Sequence, residues 1–190
     1  MTEALFVIDM QTDLLDAEGR FPVAQDQVVD VLAKTNQAIA GARERGIPVV
    51  YITNEFRPWD PGNLFRGGCC VRGRPGTELD PRVDVLPGAP AFEKWRGSAF
   101  CNEELGEWLA AEGVDSVALA GVYADACIRA TTAGALKRGL RVTVLSDAVG
   151  AAGQRGRDAG LRKMRAAGAD VASVAEWMDP MRSGQEGQMP

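Results

Sequence analysis

Residues Ala120 to Gly139 read AGVYADACIRATTAGALKRG. An apolar run closes on Gly121, and an Ala/Leu/Lys/Arg run with helical spacing then continues to Gly139. The pattern is a buried strand feeding a glycine turn that delivers Cys127 to the first turn of a helix. The unpaired N–H groups and positive end of a helix favour a thiolate and can lower a cysteine pKa from roughly 8.5 to about 3.5–7.5. Cys127 therefore reads as a nucleophile, or as the small buried apolar residue that most free cysteines are.

The same punctuation recurs along the chain. Val28, Leu32 and Ile39 recur at helical spacing within Asp26–Arg45, which stops at Gly46 before an apolar strand over Ile47–Thr53. Gly113 precedes Val117–Ala120, Gly139 precedes Val142–Leu145, and Gly168 precedes Val171. Helix, glycine stop and apolar strand in repetition predict a three-layer α/β/α fold, doubly wound on a mostly parallel sheet. A first strand over Ala4–Ile8 ends at Asp9, and in such sheets ligands bind outside the carboxyl ends of the strands. Asp9 reads as a site residue or a turn cap, Asp13 as local turn or rim chemistry, and Asp147 as a cap where a later strand ends.

Composition limits the chemistry. Among 190 residues there is no histidine, which excludes Ser–His and Cys–His catalysis and H-x-x-x-H zinc sites within the chain. Any acid–base group must be a carboxylate, lysine or tyrosine. The net charge is −5 with scattered basic residues, so neither a nucleic-acid nor a membrane-surface partner is expected. A small-molecule partner fits better. The short apolar run after Met1 lacks a basic flank, which predicts a cytoplasmic protein. The length suits one domain over 1–178, with 179–190 read as a disordered tail.

Residues 54–90 break the rhythm with six prolines and interspersed arginines, the composition of a lid or of a segment that meets another subunit. Phe56 and Trp59 either line a pocket or pack this loop. The vicinal Cys69 and Cys70 read as loop packing, since no histidine or second cysteine pair completes a metal site. Lys94, between Phe92 and Trp95, either snorkels from a surface or is desolvated beside a carboxylate. Asn102 is placed to cap the next helix, whose buried face carries Leu105, Trp108 and Leu109.

Asp9, Lys94 and Cys127, with the Val7–Gln11 opening, the Lys94–Phe100 stretch, the Gly121–Ile128 segment and Ser146–Ala148, resemble the isochorismatase-like cysteine hydrolases. The resemblance covers most of the chain and implies a Rossmann-like sheet that brings Asp9 beside the Cys127 helix. It implies an Asp9–Lys94–Cys127 triad that needs no cofactor and no metal. Asp9 would take the thiol proton and later give it to the leaving amine, while Lys94 holds charge near Asp9 and the developing oxyanion. It also implies a non-proline cis peptide joining Val122 and Tyr123, and an oxyanion hole from the N–H groups of Tyr123 and Cys127.

Departures from the family narrow the reading. Where nicotinamidases carry an Asp-x-His motif for a metal, this chain has Glu55, Phe56 and Arg57, so nicotinamidase activity and a zinc site there are not expected. Lys94–Phe100 and the Tyr123–Ala124 pair look like the isochorismatase branch, whose siderophore and phenazine members lack the cysteine present here. The expectation is a hydrolase of a small amide, carbamoyl or ureido C–N bond. The alternatives are a vinyl-ether hydrolase and an inactive oligomeric binding module of the same fold. Phe56, Arg57, Trp59, Trp95, Arg96 and Tyr123 are the substrate-binding candidates, and Arg57 and Arg96 hint at a carboxylate on the substrate. Relatives commonly associate, so a homo-oligomer, dimer or tetramer, is expected.

Overall fold

The computed structural model describes residues 2–179, and the expected tail lies outside the described residues apart from Asp179. Six strands, β1 (Thr2–Ile8), β2 (Val49–Asn54), β3 (Ala91–Lys94), β4 (Val114–Val122), β5 (Arg141–Gly150) and β6 (Asp170–Ala172), form one sheet in the order β3-β2-β1-β4-β5-β6. Every neighbouring pair is parallel. The helices are α1 (Thr12–Leu15), α2 (Gln25–Glu44), α3 (Glu103–Ala111), α4 (Arg129–Lys137), α5 (Gln154–Ala166) and α6 (Val174–Met178). None of the described helices is long and apolar enough to cross a membrane.

The layers follow from the sequence. Ala4 to Ile8 are fully buried because β1 lies at the middle of the sheet with helices over both faces. One face is covered by α2 and α6, which pack on each other; the other carries α3, α4 and α5. Turning from β1 to β2 in one direction and from β4 to β5 in the other requires this split when crossovers are right-handed. Val28, Val31, Leu32, Ala38 and Ile39 bury the inner face of α2, as their spacing predicts. The glycine stops at 46, 113, 139 and 168 all have positive φ, the left-handed geometry that ends a helix without a Cβ clash.

Two details differ from the sequence reading. Ala91–Lys94 is an edge strand pairing with β2 rather than a lead into Lys94; its largely exposed burial pattern hid it. Asp147 does not end a strand, because β5 runs on to Gly150. Its Oδ1 instead accepts the Val174 N–H at 2.8 Å and caps α6.

The sheet's topology creates one privileged place. The strand order reverses its direction of winding between β1 and β4, leaving a crevice at their carboxyl ends. Gly121 lets the two strands close on each other there: it is in register with Ile8, has φ +120°, and a Cβ on it would lie 2.0 Å from the Ile8 carbonyl oxygen. Asp9, one residue past β1, takes left-handed φ 56° while its N–H still reaches the Ile52 carbonyl of β2 at 2.8 Å.

Candidate active site

Four strands end at this crevice, and each places a polar residue at or just beyond its carboxyl end. Lys94, the last residue of β3, is 0% exposed, and its Nζ lies 2.9 Å from Asp9 Oδ2. The same ammonium donates to Asn54 Oδ1 at 3.1 Å, the Arg96 carbonyl at 3.1 Å and Cys127 Sγ at 3.3 Å. The lysine is therefore desolvated, and its charge is met by four acceptors rather than by water. Asn54 was not singled out by the sequence reading. Its signal was available, since it ends β2 at the same rim where Asp9 follows β1. Gln11, fully buried, holds it: Gln11 Oε1 accepts the Asn54 N–H at 2.8 Å, and Nε2 donates to the carbonyls of Asn54 at 3.1 Å and Thr77 at 2.6 Å.

Cys127 arrives from the other side of the switch point. The peptide joining Val122 and Tyr123 is cis, as the family resemblance implies. The following turn, Ala124–Ile128, is wider than an α-turn: the Ile128 N–H reaches back five residues to the Tyr123 carbonyl at 3.1 Å before α4 begins. Such π-type turns are rare and frequently mark functional positions. Cys127 is half-buried while Asp9 is 1% exposed, so the thiol is the site's face toward solvent and the carboxylate its floor. Asp9 Oδ1 is buried with no hydrogen-bond partner, an acceptor left open beside the thiol.

The electrostatics correct one expectation. The helix start does not lower the Cys127 pKa; burial, reinforced by the negative charge of Asp9, pushes the thiol up to about 12 against the opposing pull of Lys94. Burial also raises Asp9 above the usual carboxylate range, although Lys94 opposes it. Burial pulls the Lys94 ammonium down, but Asp9 and Cys127 together outweigh that and hold it above the ordinary lysine value. The cluster thus keeps one ammonium facing two groups that compete to hold a proton.

A family model described as the Isochorismatase domain matches residues 3–176. The chain belongs to the isochorismatase family. It is 32% identical over 146 residues to a streptothricin hydrolase of Streptomyces noursei, covering 77% of this chain and 49% of that one. It thus spans about half the length of that relative. It is 30% identical to a probable inactive nicotinamidase of Arabidopsis thaliana over 94% of this chain and 95% of the other. Among solved structures, the N-carbamoylsarcosine amidase of Thermoplasma acidophilum superposes with a TM-score of 0.78 at 32% identity, covering 92% of this chain and 97% of that chain.

Around the triad of this isochorismatase-family chain, the substrate-binding candidates separate into two groups. Tyr123 is buried; its hydroxyl donates to the Phe21 carbonyl and its ring meets Phe21 edge-on at 5.7 Å. Trp95 and Arg96 directly follow Lys94 and are exposed, with the Arg96 carbonyl held by the ammonium. Arg57 and Trp59 are exposed, while Phe56 is partly buried against the core. Arg57 stacks over the exposed Trp59 ring at 5.0 Å, and Arg66 covers Phe56 at 3.7 Å, so these cations meet aromatic faces of their own loop.

Proposed function

We propose that this chain is a cysteine hydrolase that cleaves the C–N bond of a small amide, carbamoyl or ureido substrate through a covalent thioester-type intermediate. The observation that carries the reading is the Lys94 ammonium, buried and within 2.9 Å of Asp9 and 3.3 Å of Cys127. No imidazole is needed when a carboxylate shares the proton with the thiol. The likeness to an N-carbamoylsarcosine amidase supports the same bond class.

The chemistry follows from the charges. Asp9 accepts the thiol proton as sulfur attacks the substrate carbonyl carbon; burial raises Asp9 above the usual carboxylate range and so makes it a stronger base than a free carboxylate. Lys94 stays cationic throughout and offsets the negative charge as it moves from carboxylate to sulfur. The N–H groups of Tyr123 and Cys127 receive the oxyanion. On collapse the C–N bond breaks, Asp9 returns the proton to the leaving nitrogen, and the acyl group remains on sulfur. Water then attacks that carbonyl, Asp9 takes its proton, and the S–C bond breaks to release the acid and restore the thiol. Trp95, Arg96 and Tyr123 flank the reacting groups and select the substrate.

Screening small amides, carbamoyl amino acids and ureides for ammonia release tests the reading, with mass spectrometry of the quenched enzyme. Turnover with an acyl adduct on Cys127, lost in Cys127→Ala, is the expected result. Turnover that survives Cys127→Ala, or release without any adduct at Cys127 under single-turnover conditions, would defeat the covalent mechanism. Absence of hydrolysis across all three classes, with folded protein, would favour the inactive binding module.

A further inference from the structure

Beside the triad lies a second cluster that the hydrolysis does not use. Asp13, Cys69 and Cys70 are all buried, and one ligand atom from each, the carboxylate oxygen and the two sulfurs, lies within 4.8 Å of the others. The sequence reading left the vicinal cysteines as loop packing because no partner was visible; the partner is Asp13, 57 positions before Cys70. Consecutive side chains on an extended chain point to opposite sides. Here Cys70 takes left-handed φ 50°, and the two sulfurs converge to 3.4 Å. Asp13 Oδ2 accepts the Cys70 N–H at 2.8 Å, which aims the carboxylate at the pair. Gly76 makes room for it, since a Cβ there would fall 2.1 Å from Asp13 Oδ1.

We infer that Asp13, Cys69 and Cys70 form a binding site for a single thiophilic divalent cation, of the zinc or cadmium class, distinct from the Asp9–Lys94–Cys127 triad. Two sulfurs and one carboxylate oxygen are the donor set such ions prefer over magnesium or calcium. With metal–sulfur bonds of about 2.3 Å, tetrahedral sulfurs stand about 3.8 Å apart, so the pair opens by only about 0.4 Å. Asp13 also lines a cavity of about 730 Å³, which would give an ion a path to the carboxylate. Arg20 and Arg74 line the same cavity together with Asp16 and Glu18, so apart from Asp13 the charges of its lining balance. On binding, both S–H protons are released to solvent and two metal–sulfur bonds form, with no change of oxidation state. The cation would tie α1's side of the crevice to the 54–90 loop, because Asp13 belongs to the first and the cysteines to the second.

The test is cadmium(II) titration of Cys101→Ser/Cys127→Ser protein in reducing buffer, which leaves only the vicinal thiols. Thiolate-to-cadmium charge-transfer absorption should saturate at one equivalent, with two protons released and a raised melting temperature. Adding Cys69→Ser and Cys70→Ser should abolish the band. Asp13→Asn, which keeps an acceptor for the Cys70 N–H, should weaken binding at least about tenfold. Affinity unchanged in Asp13→Asn overturns the ligand set. A silent titration, when unfolding shows both thiols reduced, overturns the site, and so does an intact mass two hydrogens light, the mark of a Cys69–Cys70 disulfide. If Asp13→Asn does not fold, cadmium-113 resonance of the Asp13-containing protein decides: a mixed sulfur–oxygen shell supports the site and an all-sulfur shell refutes it.

Discussion

Replacing Lys94 by methionine separates the charge of this residue from its volume. The Lys94–Asp9 pair is fully inside the protein, at 2.9 Å with side chains 0% and 1% exposed. Removing one partner of such a pair leaves an uncompensated buried charge and costs about 3–5 kcal/mol. Part of that loss is moderated by Asp9, whose pKa burial already raises and which, without the opposing charge of Lys94, takes up a proton more readily. Asp9→Asn alone strands the ammonium instead, although Asn54, the Arg96 carbonyl and Cys127 remain to receive it. The double variant Lys94→Met/Asp9→Asn removes both charges, so its loss should fall at least about 2 kcal/mol short of the sum of the singles. Urea denaturation of the four proteins gives these numbers directly. The half-exposed Lys34–Asp147 pair, at 3.7 Å, supplies the control: Lys34→Met should cost under about 1 kcal/mol. If Lys94→Met matched Lys34→Met, or if the double variant were simply additive, the ammonium would not be the hub of this site.

Cys127→Ala should lower turnover about a thousand-fold or more with the fold intact, measured as ammonia release, because the atom that forms the covalent bond is gone. Iodoacetamide alkylation of Cys127 should keep rising with pH beyond the ordinary thiol value of 9.0 and level only near about 12; a plateau below 9 would mean that the helix start, not burial, sets the thiol. The same shift has a stability sign: the folded thiol holds its proton more tightly than the unfolded one, so its contribution is complete below pH 9 and is lost as pH rises toward 12, and Cys127→Ser should lack that part of the alkaline decline. Gly121→Ala should cost at least about 2 kcal/mol, since the new Cβ meets the Ile8 backbone at 2.0 Å with φ at +120°; a change under 0.5 kcal/mol, roughly the scatter of neutral surface substitutions, would contradict the strand contact. Light scattering should report a homo-oligomer, dimer or tetramer, and Phe65→Ser, at a side chain 90% exposed on the 54–90 loop, should lower the apparent mass; a monomer at micromolar concentration rejects this.

Reading the chain alone reached the elements with short-range signals. Apolar runs that keep both faces buried marked β1, β2 and β4, and glycines at the helix ends marked where each helix hands over to a strand. The lack of histidine already confined acid–base chemistry to carboxylate, lysine or tyrosine. Alternation of helix and strand implied parallel pairing, and the resemblance to the isochorismatase-like cysteine hydrolases implied that Asp9 lies beside the Cys127 helix. Burial and charge, by contrast, are properties of neighbours distant in sequence. Whether Lys94 snorkels or is desolvated was open until β3 docked on β2 and brought its ammonium to Asn54, Asp9 and Cys127. The thiol's pKa was misjudged because a helix start is visible in sequence, whereas the burial and the Asp9 charge that overrule it are assembled only by packing β1 against β4. Asp13 meets Cys69 and Cys70 for the same reason: a left-handed turn at Cys70 and a loop folded back on α1 bring together groups that no local pattern relates.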